Sequence, residues 1–430
     1  MLPRIVVTGI GPICSIAHDG DELWKAIVSK KTSVAINECF VDDRKWGEFY
    51  SHKLNNFHPS NFIKNKLVME WISEWKNKKQ DIDLELIASS IALAINDSQL
   101  ELTEDTRSAG LVLVHENQGF ENFVNSVVDA THDFYTSKKG EKFFKLDVVR
   151  YLTEKCDRIG YDSQSFMYLF FVAKLFNIHG YSLFLNNACS SGLFGIDIAS
   201  QQIKLGKLNT VIVAGADYPR YMYKYLWFDK LNMYAKDGLM KPFSSKSNGL
   251  VFGEGASAIV LENYDVAKSR GAKIYAEYMG GGFSLESSKV SLPNLGSNLY
   301  ADTIREAINN SNMRPEDIDL VIPHGVSNRV TDLHEADALH RVFGHVLPMV
   351  TALKPYIGHN LGNSSLIELC ILFLSMKNQY IPATLNTDEL DSKAKINLIT
   401  IGRKASIKRA LKLSCGFAGY NAAAVFMNHN

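Results

Sequence analysis

The chain has 430 residues, 46% of them apolar, so it is long enough to bury one large core or two fused ones. Lysine plus arginine equal aspartate plus glutamate at 46 each, which argues against a general role in binding nucleic acid or membrane surfaces. No segment reaches the roughly 18 uninterrupted apolar residues of a membrane-spanning helix, and the N-terminus has no signal-peptide anatomy. Six cysteines lack the paired spacing of a zinc site or a disulfide framework, so we expect a reduced, cytoplasmic protein.

Short apolar runs that predict strands recur along the whole chain, and amphipathic helical patterns separate many of them. The strand-like runs lie at residues 5–7, 111–114, 210–214, 258–261, 320–322 and 424–426, and two of the helical patterns span 84–100 and 366–376. Continuous apolar strands between helices are typical of α/β proteins whose strands are buried on both faces.

The run Thr8-Gly9-Ile10-Gly11 follows the first predicted strand. It contains only the first two glycines of a dinucleotide-binding fingerprint, and Cys14 takes the place of the third. We therefore predict a tight strand-to-helix turn here rather than a cofactor site.

Cys189 stands between the apolar stretch 182–185 and a helical pattern that begins near Leu193. At such a strand-to-helix turn, unpaired N–H groups and the positive end of the helix dipole favour a nucleophilic thiolate. A free cysteine is also often only a small buried hydrophobe, so this position alone does not establish catalysis.

Two histidines and a lysine far downstream strengthen the catalytic interpretation. His324 follows the strand-like run 320–322, and Lys354 and His359 lie in one short segment. A cysteine with separated histidines is a candidate set for nucleophilic catalysis, although spacing does not show that they meet. Three further histidines, at 334, 340 and 345, lack the i, i+4 spacing of a helical metal pair, so we predict no metal site.

Several motifs appear together in the order found in one known family. They are Arg4 to Gly11, Ala188-Cys189-Ser190-Ser191-Gly192, Gly253-Glu254-Gly255-Ala256, His324-Gly325, Gly358-His359 and Gly416-Phe417-Ala418-Gly419. The chain thus resembles the β-ketoacyl-acyl-carrier-protein synthases, the elongating ketosynthases of the thiolase superfamily, as a divergent member. The resemblance implies a five-layer αβαβα fold of two similar fused halves. Residues 1–266 would carry the cysteine and residues 267–430 both histidines, with the crossover near 267–297.

The resemblance also implies roles for individual residues. Cys189 would hold the acyl chain as a thioester, while His324 and His359 would promote loss of the malonyl carboxylate and stabilise the resulting enolate. Lys354 with Glu368 would form a supporting ion pair. Asp332 and Glu335 would brace the loop that carries His324, and the backbone N–H groups of Cys189 and Phe417 would form the oxyanion hole, with Phe417 also acting as a gate. No metal or organic cofactor is implied, because the phosphopantetheine arm of an acyl carrier protein delivers the substrates.

Several residues depart from the family pattern in ways that bear on the substrate more than on the chemistry. Val326 replaces a threonine that would hydrogen-bond the pantetheine arm, and Asn328 replaces a second one. Phe228 aligns with an aromatic residue of the acyl pocket, within an aromatic-rich segment that predicts core or dimer packing. Asn363, Ser364 and Ser365 stand where the family is rich in alanine.

The resemblance implies decarboxylative Claisen condensation with malonyl carrier protein, in fatty acid, polyketide or aryl-polyene type synthesis. Two alternatives remain open: a non-catalytic chain-length partner subunit of a ketosynthase heterodimer, and an acyltransferase or cyclase that uses the same cysteine. The first is disfavoured because such partners typically replace the cysteine that is retained here. We expect a dimer, either of this chain or with a related subunit, and acyl carrier protein as the substrate-bearing partner.

Overall fold

The computed structural model describes residues 3–41, 43–64, 66, 69–70, 82–102, 106–116, 120–162, 164–219 and 222–429. Every strand and both helices expected from the apolar patterns are present. Among the described residues, each helix is too short or too polar to cross a membrane.

The strands are numbered in chain order. They are β1 (Ile5–Cys14), β2 (Val34–Val41), β3 (Arg44–His52), β4 (Ala109–Val114), β5 (Ser182–Leu185), β6 (Thr210–Asp217), β7 (Phe252–Gly253), β8 (Gly255–Asn263), β9 (Ala276–Leu285), β10 (Leu320–Ile322), β11 (Met349–Val350), β12 (Tyr380–Ile381), β13 (Asn397–Leu398), β14 (Arg403–Lys404), β15 (Arg409–Cys415) and β16 (Tyr420–Asn428).

The α-helices of the described residues are numbered in the same way. They are α1 (Gly20–Val28), α2 (Ile82–Ser98), α3 (Phe120–Ser137), α4 (Lys145–Asp162), α5 (Ser165–Phe176), α6 (Ser191–Lys204), α7 (Met222–Lys230), α8 (Tyr264–Ser269), α9 (Leu299–Asn310), α10 (Arg329–Phe343), α11 (Lys354–Ile357) and α12 (Ser364–Asn378).

The main sheet repeats one topology twice. Its order is β13-β11-β10-β15-β16-β9-β1-β8-β6-β4-β5. From β1 outward, two antiparallel pairings are followed by two parallel ones, and from β9 outward the same sequence of pairings recurs. The two sets join where residues 5–7 of β1 pair with residues 276–278 of β9. The two similar halves expected from the resemblance are therefore present.

The first half is followed by a segment that contains both regular and irregular structure. The expected crossover segment 267–297 contains the end of α8 and all of β9 (residues 276–285), the first strand of the second half. The boundary between residues 266 and 267 falls inside α8, and its exact place stays a prediction.

Glycines in the first strand of each half allow a helix to pack closely against it. A Cβ atom on Gly11 would lie 2.0 Å from the carbonyl oxygen of Ser90 in α2, and one on Gly282 would lie 2.1 Å from that of Thr303 in α9. The tight turn expected at Gly9–Gly11 is wrong, because β1 continues through Cys14. The glycines are needed for close helix packing rather than for a turn.

Two buried helices, α6 and α12, meet at their N-termini. Residues 364–376 of α12 are all buried, and a Cβ atom on Gly192 of α6 would lie 2.9 Å from that of Ser365. Because α6 follows the cysteine and α12 follows the second histidine, this contact brings the two segments together.

Substituting Gly11 with alanine tests the close packing of α2 on β1. The added methyl group would overlap a backbone carbonyl that cannot rotate away, so we expect a loss of about 2 kcal/mol or more in the free energy of unfolding. Urea denaturation measures it. Gly20→Ala is the matched control, since its nearest neighbour would be 3.6 Å away; equal stability of the two variants would contradict the interpretation.

Candidate active site

The Cys189 loop is held in a sharp turn between β5 and α6. Ala188 adopts a left-handed conformation with φ of 50°. The hydroxyl of Ser191 accepts a hydrogen bond from the backbone N–H of Asn187 at 2.8 Å and donates to the carbonyl of Ala188 at 2.6 Å. The loop thereby places Cys189, which is 5% exposed, directly before the first turn of α6.

Two influences act in opposite directions on the Cys189 thiol. Its place before a helix N-terminus favours the thiolate. Burial raises its pKa, and nearby Glu116 adds to this, whereas Lys354 and Lys224 oppose it. The raised pKa favours the protonated thiol over the thiolate that an exposed helix N-terminus would favour.

Both histidines reach the cavity that contains the cysteine. His324 follows β10, and His359 follows α11 and Gly358, whose φ is 74°. Their ring centroids are 5.5 Å apart, with ring planes at 81°. Cys189, His324 and His359 all line one cavity of about 30 Å³.

The peptide of His359 is held by the strand that precedes β8. Its N–H donates to the carbonyl of Val251 at 2.8 Å, and its carbonyl accepts from Gly253 at 3.0 Å. A second-half histidine is thus fixed against first-half backbone.

A buried ion cluster supports the His324 loop from below. Glu368 on α12 lies between Lys354 at 3.0 Å and Lys412 at 2.9 Å. The same lysines donate to backbone carbonyls, Lys354 to His324 at 2.5 Å and Lys412 to Pro323 at 3.2 Å. The expected Lys354–Glu368 pair is therefore present, with a second lysine that sequence reasoning missed.

The cluster also helps to keep both imidazoles neutral. Burial lowers the pKa of His324 and of His359 well below the usual value, and the positive charge of Lys354 lowers both further. Neutral imidazoles have one N–H donor each, which suits them to hydrogen-bond a developing oxyanion.

Carboxylates of α10 hold the His324 loop from the other side. Glu335 accepts from the backbone N–H groups of His324 at 2.7 Å and Gly325 at 2.9 Å. Asp332 accepts from Val326 at 3.0 Å. These contacts are the bracing geometry that the resemblance implied for the two residues.

Phe417 lies in a short helical turn between β15 and β16 and closes the cavity with aromatic neighbours. Its ring stacks on Phe228 at 5.2 Å with planes at 17° and meets Trp227 edge-on at 5.6 Å. The next residue, Ala418, has φ of 62° and donates its N–H to the carbonyl of Val290 at 2.6 Å. The Phe417 loop is thus tied to the segment that follows β9.

The substrate-binding positions differ in their surroundings. Val326 and Phe228 line the cavity. The oxygen of Asn328 instead caps α10 by accepting from the N–H of Thr331 at 3.2 Å, so only its amide N–H groups are left for a substrate arm. Thr331, which sequence reasoning missed, lines the cavity beside Val326.

A second buried charged cluster lies beside the cysteine. His115 stands between Asp83 and Asp217, at 3.5 Å from each. Burial alone would lower the pKa of His115, but the two carboxylates raise it to about 10. Nearby, Lys224 on α7 pairs with Glu116 at 3.2 Å. No apolar pattern signals these residues, since each lies within a helix or at or just after the end of a strand.

No group of three or more histidine, cysteine, aspartate or glutamate side chains suited to a metal ion occurs in the part of the chain that the structure describes.

Comparison with known proteins identifies the family. The family description "Beta-ketoacyl synthase, N-terminal domain" matches residues 162–267, and "Beta-ketoacyl synthase, C-terminal domain" matches residues 275–388. Together they cover just over half of the chain, which belongs to the β-ketoacyl synthase family. The chain is accordingly a ketosynthase, an acyltransferase-class enzyme of Claisen condensation.

Individual relatives match along nearly the full length. The chain is 25% identical over 432 residues to 3-oxoacyl-[acyl-carrier-protein] synthase 2 of Vibrio harveyi, covering 98% of each chain. It is also 25% identical over 431 residues to Nodulation protein E of Rhizobium sp. (strain N33), again covering 98% of each.

Solved structures share the fold. The ishigamide ketosynthase/chain length factor superposes with a TM-score of 0.85 at 21% identity. A type II polyketide ketosynthase in complex with its acyl carrier protein superposes with a TM-score of 0.84 at 22% identity. Both matches cover 100% of each chain, and they confirm the expected thiolase-like α/β fold.

Substituting Glu368 with glutamine tests the ion cluster. The change leaves two buried lysines without their shared counter-charge, so we expect the free energy of unfolding to fall by about 3–5 kcal/mol. Urea denaturation measures it. Glu389→Gln is the matched control, since Glu389 pairs with Lys246 at an exposed site, where ion pairs contribute little. A Glu368→Gln variant as stable as this control would contradict the proposed contribution of Glu368 to stability.

Proposed function

We propose that the chain condenses an acyl group held on Cys189 with malonyl-acyl carrier protein, with loss of carbon dioxide. The observation that carries this proposal is the convergence of Cys189, His324 and His359 on one cavity. Relatives named 3-oxoacyl-[acyl-carrier-protein] synthase 2 support the carrier-protein substrate.

In the first half-reaction, the sulfur of Cys189 attacks the acyl thioester of a carrier protein. The carbon–sulfur bond to the carrier breaks, and the carrier thiol leaves with the proton given up by Cys189. The N–H groups of Cys189 and Phe417 stabilise the oxyanion formed in this step. Because Cys189 is only 5% exposed, water is kept from the acyl-enzyme.

In the second half-reaction, malonyl carrier protein loses its carboxylate as carbon dioxide, and the electron pair forms a thioester enolate. His324 and His359 donate hydrogen bonds to the enolate oxygen, each worth on the order of 3 kcal/mol. The enolate carbon then attacks the acyl carbon on Cys189, and the thiolate leaves as the β-ketoacyl carrier protein forms. The thiolate regains a proton from solvent.

The proposal extends to the type of acyl chain that the cavity accepts. The stacked Phe228 and Phe417 rings give the cavity an aromatic wall, which suits flat, unsaturated chains of the polyketide or aryl-polyene type. Carrier-protein substrates with saturated and polyene chains, offered in competition, distinguish this from ordinary fatty acid elongation.

Single substitutions separate the two half-reactions. We expect an acyl adduct on the wild type that Cys189→Ala abolishes. His324→Ala and His359→Ala should keep the adduct and lose condensation on the order of 10²-fold or more, because each removes an oxyanion donor. Intact mass and carbon dioxide release measure the two steps.

Cys415→Ser is the matched control for loading, since Cys415 is a second thiol that lines the cavity. It should retain the adduct. A wild-type chain that loads no acyl group, even with a related subunit present, would contradict the proposed function.

We also propose that the chain pairs with a second copy or with a related subunit through the β5 edge. Strand β5 is the outer strand of the main sheet, and its four residues are only half-buried. The neighbouring α5 exposes Phe166 and Phe170 by about half. An uncovered apolar strand edge is a ready site for pairing.

Light scattering tests this pairing. We expect a mass about twice the 48.1 kDa of the chain, reduced towards the monomer in Phe170→Asp. Ile401→Asp, at an exposed site in the second half, should leave the mass unchanged. A monomer both alone and with a co-expressed related subunit would contradict the proposal.

A further inference from the structure

The side chain of Ser364 contacts the ring of His359. The Ser364 hydroxyl oxygen lies 2.7 Å from Nδ1 of the imidazole, and both residues are buried, at 2% and 1% exposed. Ser364 is the first residue of α12. The contact is therefore shielded from water.

The loop that leads to Ser364 is fixed independently of the histidine. The N–H of Asn363 lies 3.0 Å from the carbonyl of Asn360 and 3.2 Å from a carboxylate oxygen of Asp217 at the end of β6. A serine on an anchored helix start meets the ring in one defined geometry.

This contact determines which nitrogen can face a substrate. A neutral imidazole has one N–H donor and one acceptor nitrogen. With Nδ1 engaged by Ser364, only Nε2 remains for the cavity. Donation of the hydroxyl proton to Nδ1 places the ring proton on Nε2, where it can be donated to an oxyanion.

We propose that Ser364 is a positioning residue that holds His359 in the Nε2-protonated tautomer used in decarboxylation. The inference rests on the proposed function, because it concerns the histidine of the second half-reaction. Ser364 itself forms no bond to substrate. Its hydroxyl acts through the ring, as groups that orient catalytic histidines do elsewhere.

Two substitutions at this position have different expected effects. Ser364→Ala removes the donor and leaves the tautomer unfixed, so we expect malonyl decarboxylation to fall about 10-fold in kcat with little change in KM. Ser364→Asp offers only an acceptor to Nδ1, which draws the ring proton to Nδ1 and strips Nε2 of its hydrogen. Since a wrong tautomer is far more damaging, we expect a fall of about 10³-fold or more.

Three controls separate a positioning role from a structural one. Acyl loading of Cys189, followed by intact mass, should stay within about twofold of the wild type in the alanine variant. Ser364→Thr keeps the hydroxyl and should recover most of the lost kcat. Ser375→Ala removes a buried serine of the same helix, whose hydroxyl donates to the carbonyl of Ile371 at 2.8 Å, and should leave both half-reactions unchanged.

The outcomes are distinct. Decarboxylation that is equal in wild type and Ser364→Ala would overturn the inference alone, and so would parallel losses of loading and decarboxylation. Aspartate at least as active as alanine would overturn the assigned direction of the hydrogen bond. A wild-type enzyme that releases no carbon dioxide from malonyl carrier protein would overturn both the inference and the proposed function.

Discussion

The carboxylate of Glu368 links α12, the His324 loop and β15. It lies between two buried lysines, and each lysine also donates to a carbonyl of the Pro323–His324 segment. Two buried cations near one carboxylate are costly unless each has further hydrogen-bond partners, and the loop carbonyls provide them. The ion cluster thus ties the histidine to the helix start that also carries Ser364.

The same cluster determines the electrostatic character of the cavity. Burial lowers the pKa values of both histidines, and the net positive charge of the cluster lowers them further, which keeps the imidazoles neutral. Burial raises the pKa of the Cys189 thiol, and the negative charge of Glu116 raises it further. Positive charge beneath the imidazoles favours an enolate oxygen, while the negative charge near the sulfur disfavours a resting thiolate.

Much of the fold was predictable because apolar runs mark buried strands directly. The strands near 5–7, 210–214 and 320–322 and the helix near 366–376 all follow from that pattern. The prediction of a turn at Gly9–Gly11 was wrong, because local glycine chemistry cannot reveal that a helix far along the chain packs on the strand. Such packing is set by tertiary structure rather than by neighbours in sequence.

In the site, too, some residues could be predicted from the sequence and others could not. Cys189, His324, His359 and Lys354 were found through motifs whose spacing survives in this chain. Lys412 was missed because it stands alone in an apolar strand, where only its burial and its ion partner show its role. Ser364 had looked like a loss of the family's alanine, yet the structure places its hydroxyl on His359.

The repeated topology has a consequence for how the enzyme is built. Cys189 stands directly before α6 in the first half, whereas His324 and His359 belong to the second half. In the proposed mechanism neither half supplies all three residues, so the reaction takes place where the two halves meet. The two halves share one topology but contribute different residues to the cavity, so a half on its own would lack part of the proposed catalytic set.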